Sequence, residues 1–159
     1  QAEDGIRDVE RSRGLGDVYK RQIEESIEIL KRVPWKSFRV RAVVLYGSVA
    51  KGSKWPRDID LLVVSDSKLR LEDEVRIAEV VEAGCGLEAD IAVITLEDPD
   101  CELLLNALEE GVLIYVDDGE GVFSRAIALC YDYLLMKRKV RYTETLINSV
   151  IKGAPIKTR

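Results

Sequence analysis

Asp58 and Asp60 stand two residues apart at the head of the apolar run IDLLVV. If that run is a strand, its alternation sends both side chains to one face, a few ångströms apart. Like charges so close raise each other's pKa unless a cation lies between them, and hard, oxygen-seeking Mg²⁺ suits such a pair. Asp90 follows thirty residues after Asp60, near the start of another apolar run, where an ionisable group is costly unless paired or metal-bound. Should the two strands be neighbours, three carboxylates converge. Such a set can hold two metal ions, one lowering the pKa of an attacking hydroxyl and one neutralising a departing pyrophosphate.

The loop before this pair carries the complementary chemistry. In VVLYGSVAKGSKWPRDIDLLVV, residues 43–64, an apolar run ends in Gly47-Ser48, and Lys51-Gly52 follow. Backbone N–H groups, the Ser48 hydroxyl and the Lys51 ammonium are all donors for phosphate oxygens, and glycine permits close approach. Each signal alone is weak, since an isolated Asp-x-Asp is most often surface decoration and Gly-Ser most often a turn. The ordered conjunction of strand, Gly-Ser, basic residue, glycine, Asp-x-Asp on a strand and a strand-borne Asp after one helix is far more specific.

These residues need elements to carry them. Val40 to Tyr46 and Ile59 to Val64 are β-branched and apolar on both faces, as expected of strands covered on both sides, and Ser65-Asp66-Ser67 stops the second. Ile23, Ile27 and Leu30 repeat at helical spacing over Ile23 to Val33, before Pro34. Leu71, Val75, Ala78 and Val81 do the same up to Gly84, a candidate C-cap. Ala89 to Thr95 is a third strand, and Asp98-Pro99 has the form of an N-cap followed by proline at the first helical position. Leu104, Leu105 and Leu108 give a further helical face. Val112 to Val116 is a fourth strand, and Val122 to Ile151 a long helix with room for a bend or break. The pattern is that of one α/β (α+β) domain with a C-terminal helical tail.

Composition removes several classes of function. The 159 residues are 47% hydrophobic and 33% charged, which excludes a disordered chain, and no apolar run approaches the roughly 18 residues of a spanning helix. With no histidine there is no Ser-His-Asp or Cys-His set and no histidine-ligated zinc. Cys85, Cys101 and Cys130 are odd in number and form no Cys-x-x-Cys pair, so buried thiols in a reducing cytoplasm are expected rather than a disulfide framework. From Phe123 to Arg159, eight basic residues (Arg125, Lys137, Arg138, Lys139, Arg141, Lys152, Lys157, Arg159) face only Asp132 and Glu144, a net of +6. The first twenty-two residues are neutral overall and the chain carries −5, which leaves −11 for residues 23–122. That body repels nucleic acid broadly. The basic stretch Lys137 to Arg141 reads either as a solvated helical face or as a contact for an anion or an acidic partner.

The opening, QAEDGIRDVERSRGLGDVYKRQ, has neither an initiator Met nor an apolar signal region. It resembles the conceptual translation of a DNA sequencing adapter: Gln1 to Asp8 the flow-cell end, Val9 to Arg11 an index, and Ser12 to Gln22 the transposon-derived end. Residues 1–22 are therefore expected to be non-native, with a catalytic-type domain over 23–120 and the helical tail over 121–159; the true N-terminus would then be lost. Outside that segment there is no glutamine, and Asn106 and Asn148 are the asparagines, which leans toward a thermophile's composition.

At Leu45 to Val64 and Asp90 the sequence resembles the nucleotidyltransferase superfamily that includes DNA polymerase β, most closely its small prokaryotic minimal nucleotidyltransferase branch. Nine residues separate Ser48 from Asp58, one fewer than is common in that branch. The resemblance implies a small mixed β-sheet flanked by helices, with Asp58, Asp60 and Asp90 as metal-binding carboxylates and Asp90 also the base or hydroxyl orienter. It puts Gly47 and Ser48 on the triphosphate of ATP, with Lys51 and Gly52 beside them, and Mg²⁺, two ions, as cofactor. After Gly121 only a helical tail is expected, which leaves no room for finger and thumb domains and argues against an antibiotic-modifying enzyme with a substrate-binding helical domain, unless another chain supplies it. The branch implies a cytoplasmic antitoxin that transfers AMP from ATP to a tyrosine of a helical HEPN-type toxin. Tyr131, Tyr133 and Tyr142 on the basic helix would suit that interface, and would equally suit a core. A docking module without catalysis, and a small-molecule (sugar or antibiotic) nucleotidyltransferase, are the alternatives; self-association is left open.

Overall fold

The computed structural model describes residues 2–153, and side chains at 14, 16–18 and 20–153. Helix α1 (Ala2–Arg32) leads through a 3₁₀ turn (Trp35–Phe38) into β1 (Val40–Tyr46), the short α2 (Gly47–Ala50) and β2 (Asp58–Ser65). There follow α3 (Leu71–Cys85), β3 (Glu88–Ile94), α4 (Cys101–Glu110), β4 (Val112–Val116) and α5 (Val122–Ile151). The sheet order is β3-β2-β1-β4. β1 is antiparallel to β2 and β4, while β2 and β3 run parallel, joined by the crossover through α3. This is the expected mixed sheet flanked by helices.

Apolar residues on both faces of β1 and β2 demand cover on both sides. One layer is built on Leu30, Val33, Trp35, Ile77 and Val81 against Val43, Leu45, Leu61 and Val63. The other sets Leu104, Ala107, Phe123, Ala126 and Cys130 against Ala42, Val44, Leu62 and Val64. Trp35, 1% exposed, keeps its indole N–H satisfied by donating to the Leu30 carbonyl at 2.9 Å.

Several boundaries differ from the expected ones for identifiable reasons. Helix α1 continues through residues 2–22 without a break at Gln22, although every side chain described before Ile23 is exposed and packing starts at Ile23. Gly84 is not the C-cap of α3: a Cβ there would meet Ile29 Cγ2 at 2.5 Å, so the missing side chain is what lets α1 approach, and the left-handed cap is Gly86 at φ 69°. Asp98-Pro99 does not open α4. Its N-cap is Asp100, whose carboxylate accepts from the Leu103 N–H at 3.0 Å, while Asp98 N–H turns to Thr95 Oγ1 at 3.1 Å. Gly47-Ser48 is not a simple turn but the start of α2. Helix α5 is one continuous helix.

The cysteines depart most from expectation. Cys101 and Cys130 are joined in a disulfide that ties α4 to α5, and Cys85 is left free. Counting cysteines could not reveal this, because the pairing depends on the two helices packing side by side on one face of the sheet. Closing the 29-residue separation should contribute about 3–4 kcal/mol. Denaturant unfolding should show that loss for Cys101→Ser with Cys130→Ser, whereas Cys85→Ser should leave the midpoint nearly unchanged; equal effects would contradict the assignment.

Candidate active site

The register of the parallel pair decides the site. Asp60 is the Cα partner of Asp90, and Asp58 that of Glu88, so four acidic residues occupy two rungs of the β2–β3 ladder, with the Ile59–Ala89 pair between them. Alternation puts Asp58 and Asp60 on the face of Leu62 and Val64, and Asp90 on that of Ala92, which is the α4/α5 face. On the other side of Asp60, β1 supplies Tyr46 as its antiparallel partner. Tyr46, Asp60 and Asp90 therefore form one row across three strands. Sequence reading missed Tyr46 and Glu88; the signal for Glu88 was its i−2 spacing from Asp90, and for Tyr46 its place at the end of β1, next to Gly47.

The backbone turns sharply out of β1 at Gly47, with φ 72°, a region where side chains are strained. A Cβ at Gly47 would lie 1.9 Å from Asp60 Oδ2, so the glycine is what lets this backbone lie against the carboxylate. The Ser48 backbone hydrogen-bonds to Asp60 and favours its charged form. Burial, followed by the charges of Asp58 and Asp90, outweighs that bond and raises the Asp60 pKa above its ordinary 3.8. Burial and the same field, from Asp60, Asp90 and Asp100, raise the Tyr46 phenol and keep it neutral.

Ser48 Oγ is buried without a hydrogen-bond partner among the described residues, an orphaned hydroxyl next to a crowded carboxylate. The other loop residues lie elsewhere. Lys51 Nζ is paired with Glu110 at 2.5 Å, and Gly52, φ 75°, faces Ile23, its Cβ position 3.6 Å from the Ile23 Cδ1. On the basic helix, Lys137 is bound to Glu102 of α4. Tyr131, Tyr133 and Tyr142 are exposed, not core.

Among the described residues no three acidic or thiol side chains form a ready-made metal cage. Mg²⁺ does not need one, because it is commonly held by one or two carboxylates together with substrate phosphates. The donor set fits that mode: carboxylates on a shared face, a hydroxyl without a partner, and backbone that approaches Asp60 at Gly47.

The family model described as "Polymerase beta, Nucleotidyltransferase" matches residues 24–120. No curated protein matches the chain. Among solved structures, a toxin–antitoxin complex with AMP-PNP is 16% identical, covering 78% of this chain and 98% of that one, with a TM-score of 0.51. A variant of the toxin–antitoxin pair MntA–HpeT gives the same figures, 16% identity, 78% and 98% coverage and a TM-score of 0.51. A complex of a tri-AMPylated Shewanella oneidensis HEPN toxin with its MNT antitoxin is 17% identical over 80% of this chain and 98% of that chain, at a TM-score of 0.47. The two structures at a TM-score of 0.51 are similar to this chain in fold.

Two substitutions test the geometry. Gly47→Ala should cost about 1–3 kcal/mol in backbone strain and, in addition, the displacement of the Asp60 carboxylate, read as a lowered unfolding midpoint. Gly52→Ala, with similar φ and only an ordinary contact to Ile23 Cδ1 at 3.6 Å, should carry the strain alone, so equal losses of stability would contradict the Gly47–Asp60 contact. Because the folded-state pKa of Asp60 is raised, its charge costs stability at neutral pH, and that cost disappears as pH falls below 3.8. Asp60→Asn should therefore raise the unfolding midpoint at pH 7 and lose that advantage in acid; a lower midpoint at pH 7 would contradict the repulsion.

Proposed function

Since the chain belongs to the polymerase β nucleotidyltransferase family, we propose that it transfers AMP from ATP to a protein hydroxyl, the tyrosine of a helical HEPN-type toxin, as the antitoxin of a two-component pair. The observation that carries this reading is the row of carboxylates: Asp60 opposite Asp90, with Asp58 on the same face. Mg²⁺ bound there would neutralise the triphosphate and the departing pyrophosphate. Asp58 and Asp60 would hold it, with Asp90 completing the set. Asp90 would also orient the acceptor hydroxyl and take its proton as the oxygen–α-phosphorus bond forms and the bond to the β-phosphate's bridging oxygen breaks.

The chain's own loop supports the triphosphate role. Among the described residues Ser48 Oγ has no partner, and it would donate to a phosphate oxygen. Lys51 would have to leave Glu110 to join them, a small loss for an ion pair more than half exposed on both sides. The exposed apolar and basic face of α5, including Tyr131, Tyr133 and Met136, supports docking of a protein acceptor. It equally favours a second reading, in which docking alone silences the partner.

Such an enzyme would work in the cytoplasm, where ATP is found. A disulfide there accords with the thermophile-like composition, since hyperthermophiles keep intracellular disulfides. No described helix is long and apolar enough to cross a membrane.

Asp58→Asn with Asp60→Asn decides between catalysis and docking. Incubated with ATP, Mg²⁺ and the protein encoded beside it, the wild-type chain should add AMP to a tyrosine, read by mass spectrometry. The double variant should lose at least about a thousandfold in rate while keeping its fold and still binding the partner. Undiminished transfer by the variant would refute the assignment, and absence of transfer by the wild type would leave docking as the function.

A further inference from the structure

At the end of β1 and β2 opposite the carboxylates lies a cavity of about 400 Å³ whose lining includes Arg39, Ser67, Lys68 and Arg70 with the apolar Phe38 and Leu69. Five or six strand residues separate it from Tyr46 and Asp60, roughly 20 Å, so one nucleotide cannot reach both places. Its charge runs against its surroundings. Residues 23–122 carry −11, yet this lining holds three cations against the single carboxylate of Asp73. Asp73 is taken by Arg70 at 3.1 Å. Among the described residues Arg39 and Lys68 make no ion pair within 4.0 Å.

Arg39 is also held at a conformational cost. It caps the 3₁₀ turn at φ 57°, the one positive φ outside glycine among the described residues, where glycine would sit freely. Ser65, 1% exposed, pins this backbone by donating its Oγ hydrogen to the Arg39 carbonyl at 3.3 Å. An arginine and a lysine with no ion pair among the described residues, beside the Ser67 hydroxyl at a concave site, match the needs of a phosphate group: a planar fork, a point charge and a further donor. The volume is within the roughly 300–1,000 Å³ of small-ligand sites, and Phe38 and Leu69 offer apolar surface to the remainder of such a ligand.

We propose that this cavity binds the phosphate of a small phosphorylated ligand, at a site separate from the carboxylates. Calorimetry on the full chain in EDTA, which removes metal-dependent nucleotide binding, tests this with inorganic phosphate, AMP and ATP as probes. Saturable binding is expected, weakened at least tenfold by Arg39→Gly with Lys68→Ala. Glycine takes the φ of 57° without strain, so the melting temperature of that variant should not fall by more than a degree or two, which separates lost binding from lost folding. Asp58→Asn with Asp60→Asn should bind as the wild type does, so that failure of this site and failure of the transfer reading are told apart. AMP binding more tightly than phosphate identifies a nucleotide as the source, and equal affinity identifies the phosphate group alone; both support the site. Absence of saturable binding in EDTA, binding unchanged by Arg39→Gly with Lys68→Ala, or binding lost in the aspartate double variant would overturn it.

Discussion

Asp60 has carboxylates beside it on its own strand and on the next, and burial around it, all of which favour its neutral form; one backbone hydrogen bond from Ser48 opposes them. Folding gathers this repulsion instead of avoiding it. The parallel register of β2 and β3 brings Asp90 level with Asp60, and the turn at Gly47 lays backbone against the carboxylate where any side chain would collide with it. A divalent cation relieves both the charge crowding and the desolvation. A carboxylate held toward its neutral form by burial and by two like charges, with no cationic side chain among the causes of its shift, is what a candidate cation site shows and a structural ion pair does not.

The remainder of the chain keeps that rung in place. Buried strands with apolar residues on both faces cannot slip by one residue without sending Leu62 and Val64 to the wrong core layer, so the packing of α1 and α3 on one side and α4 and α5 on the other fixes which residues stand opposite Asp60. The disulfide from Cys101 to Cys130 adds a covalent tie between the two helices covering the carboxylate-bearing face. Beyond Cys130, α5 leaves the core and carries exposed apolar and basic residues outward. The carboxylate row and the exposed face of α5 thus lie on different parts of one short chain.

Much of this was legible in the order of residues. β1, β4 and α5 begin and end at the residues their apolar patterning indicates, because each is bounded by strong local signals: the polar Asp117-Asp118 pair after Val116, Gly47 after Tyr46, Gly121 before Val122. What failed to show were features made by tertiary contact. Gly84 looks like a cap and serves a helix crossing; Cys101 and Cys130 look like isolated thiols and meet only when α4 lies along α5. Asp58, Asp60 and Asp90 could be named from spacing and resemblance, but Tyr46 and Glu88 join them through strand register, which a single sequence does not disclose. The cavity at Arg39 left no motif at all, since its cations come from a 3₁₀ cap and from the loop after β2.

The claim that these carboxylates form a metal-binding set is tested most directly by diffraction. Crystals of the chain grown with Mn²⁺ and a non-hydrolysable ATP analogue should show an anomalous peak within coordination distance of Asp58 and Asp60, with Asp90 turned toward the α-phosphate. An anomalous peak elsewhere, or nucleotide bound with Asp90 facing away from it, would contradict the account.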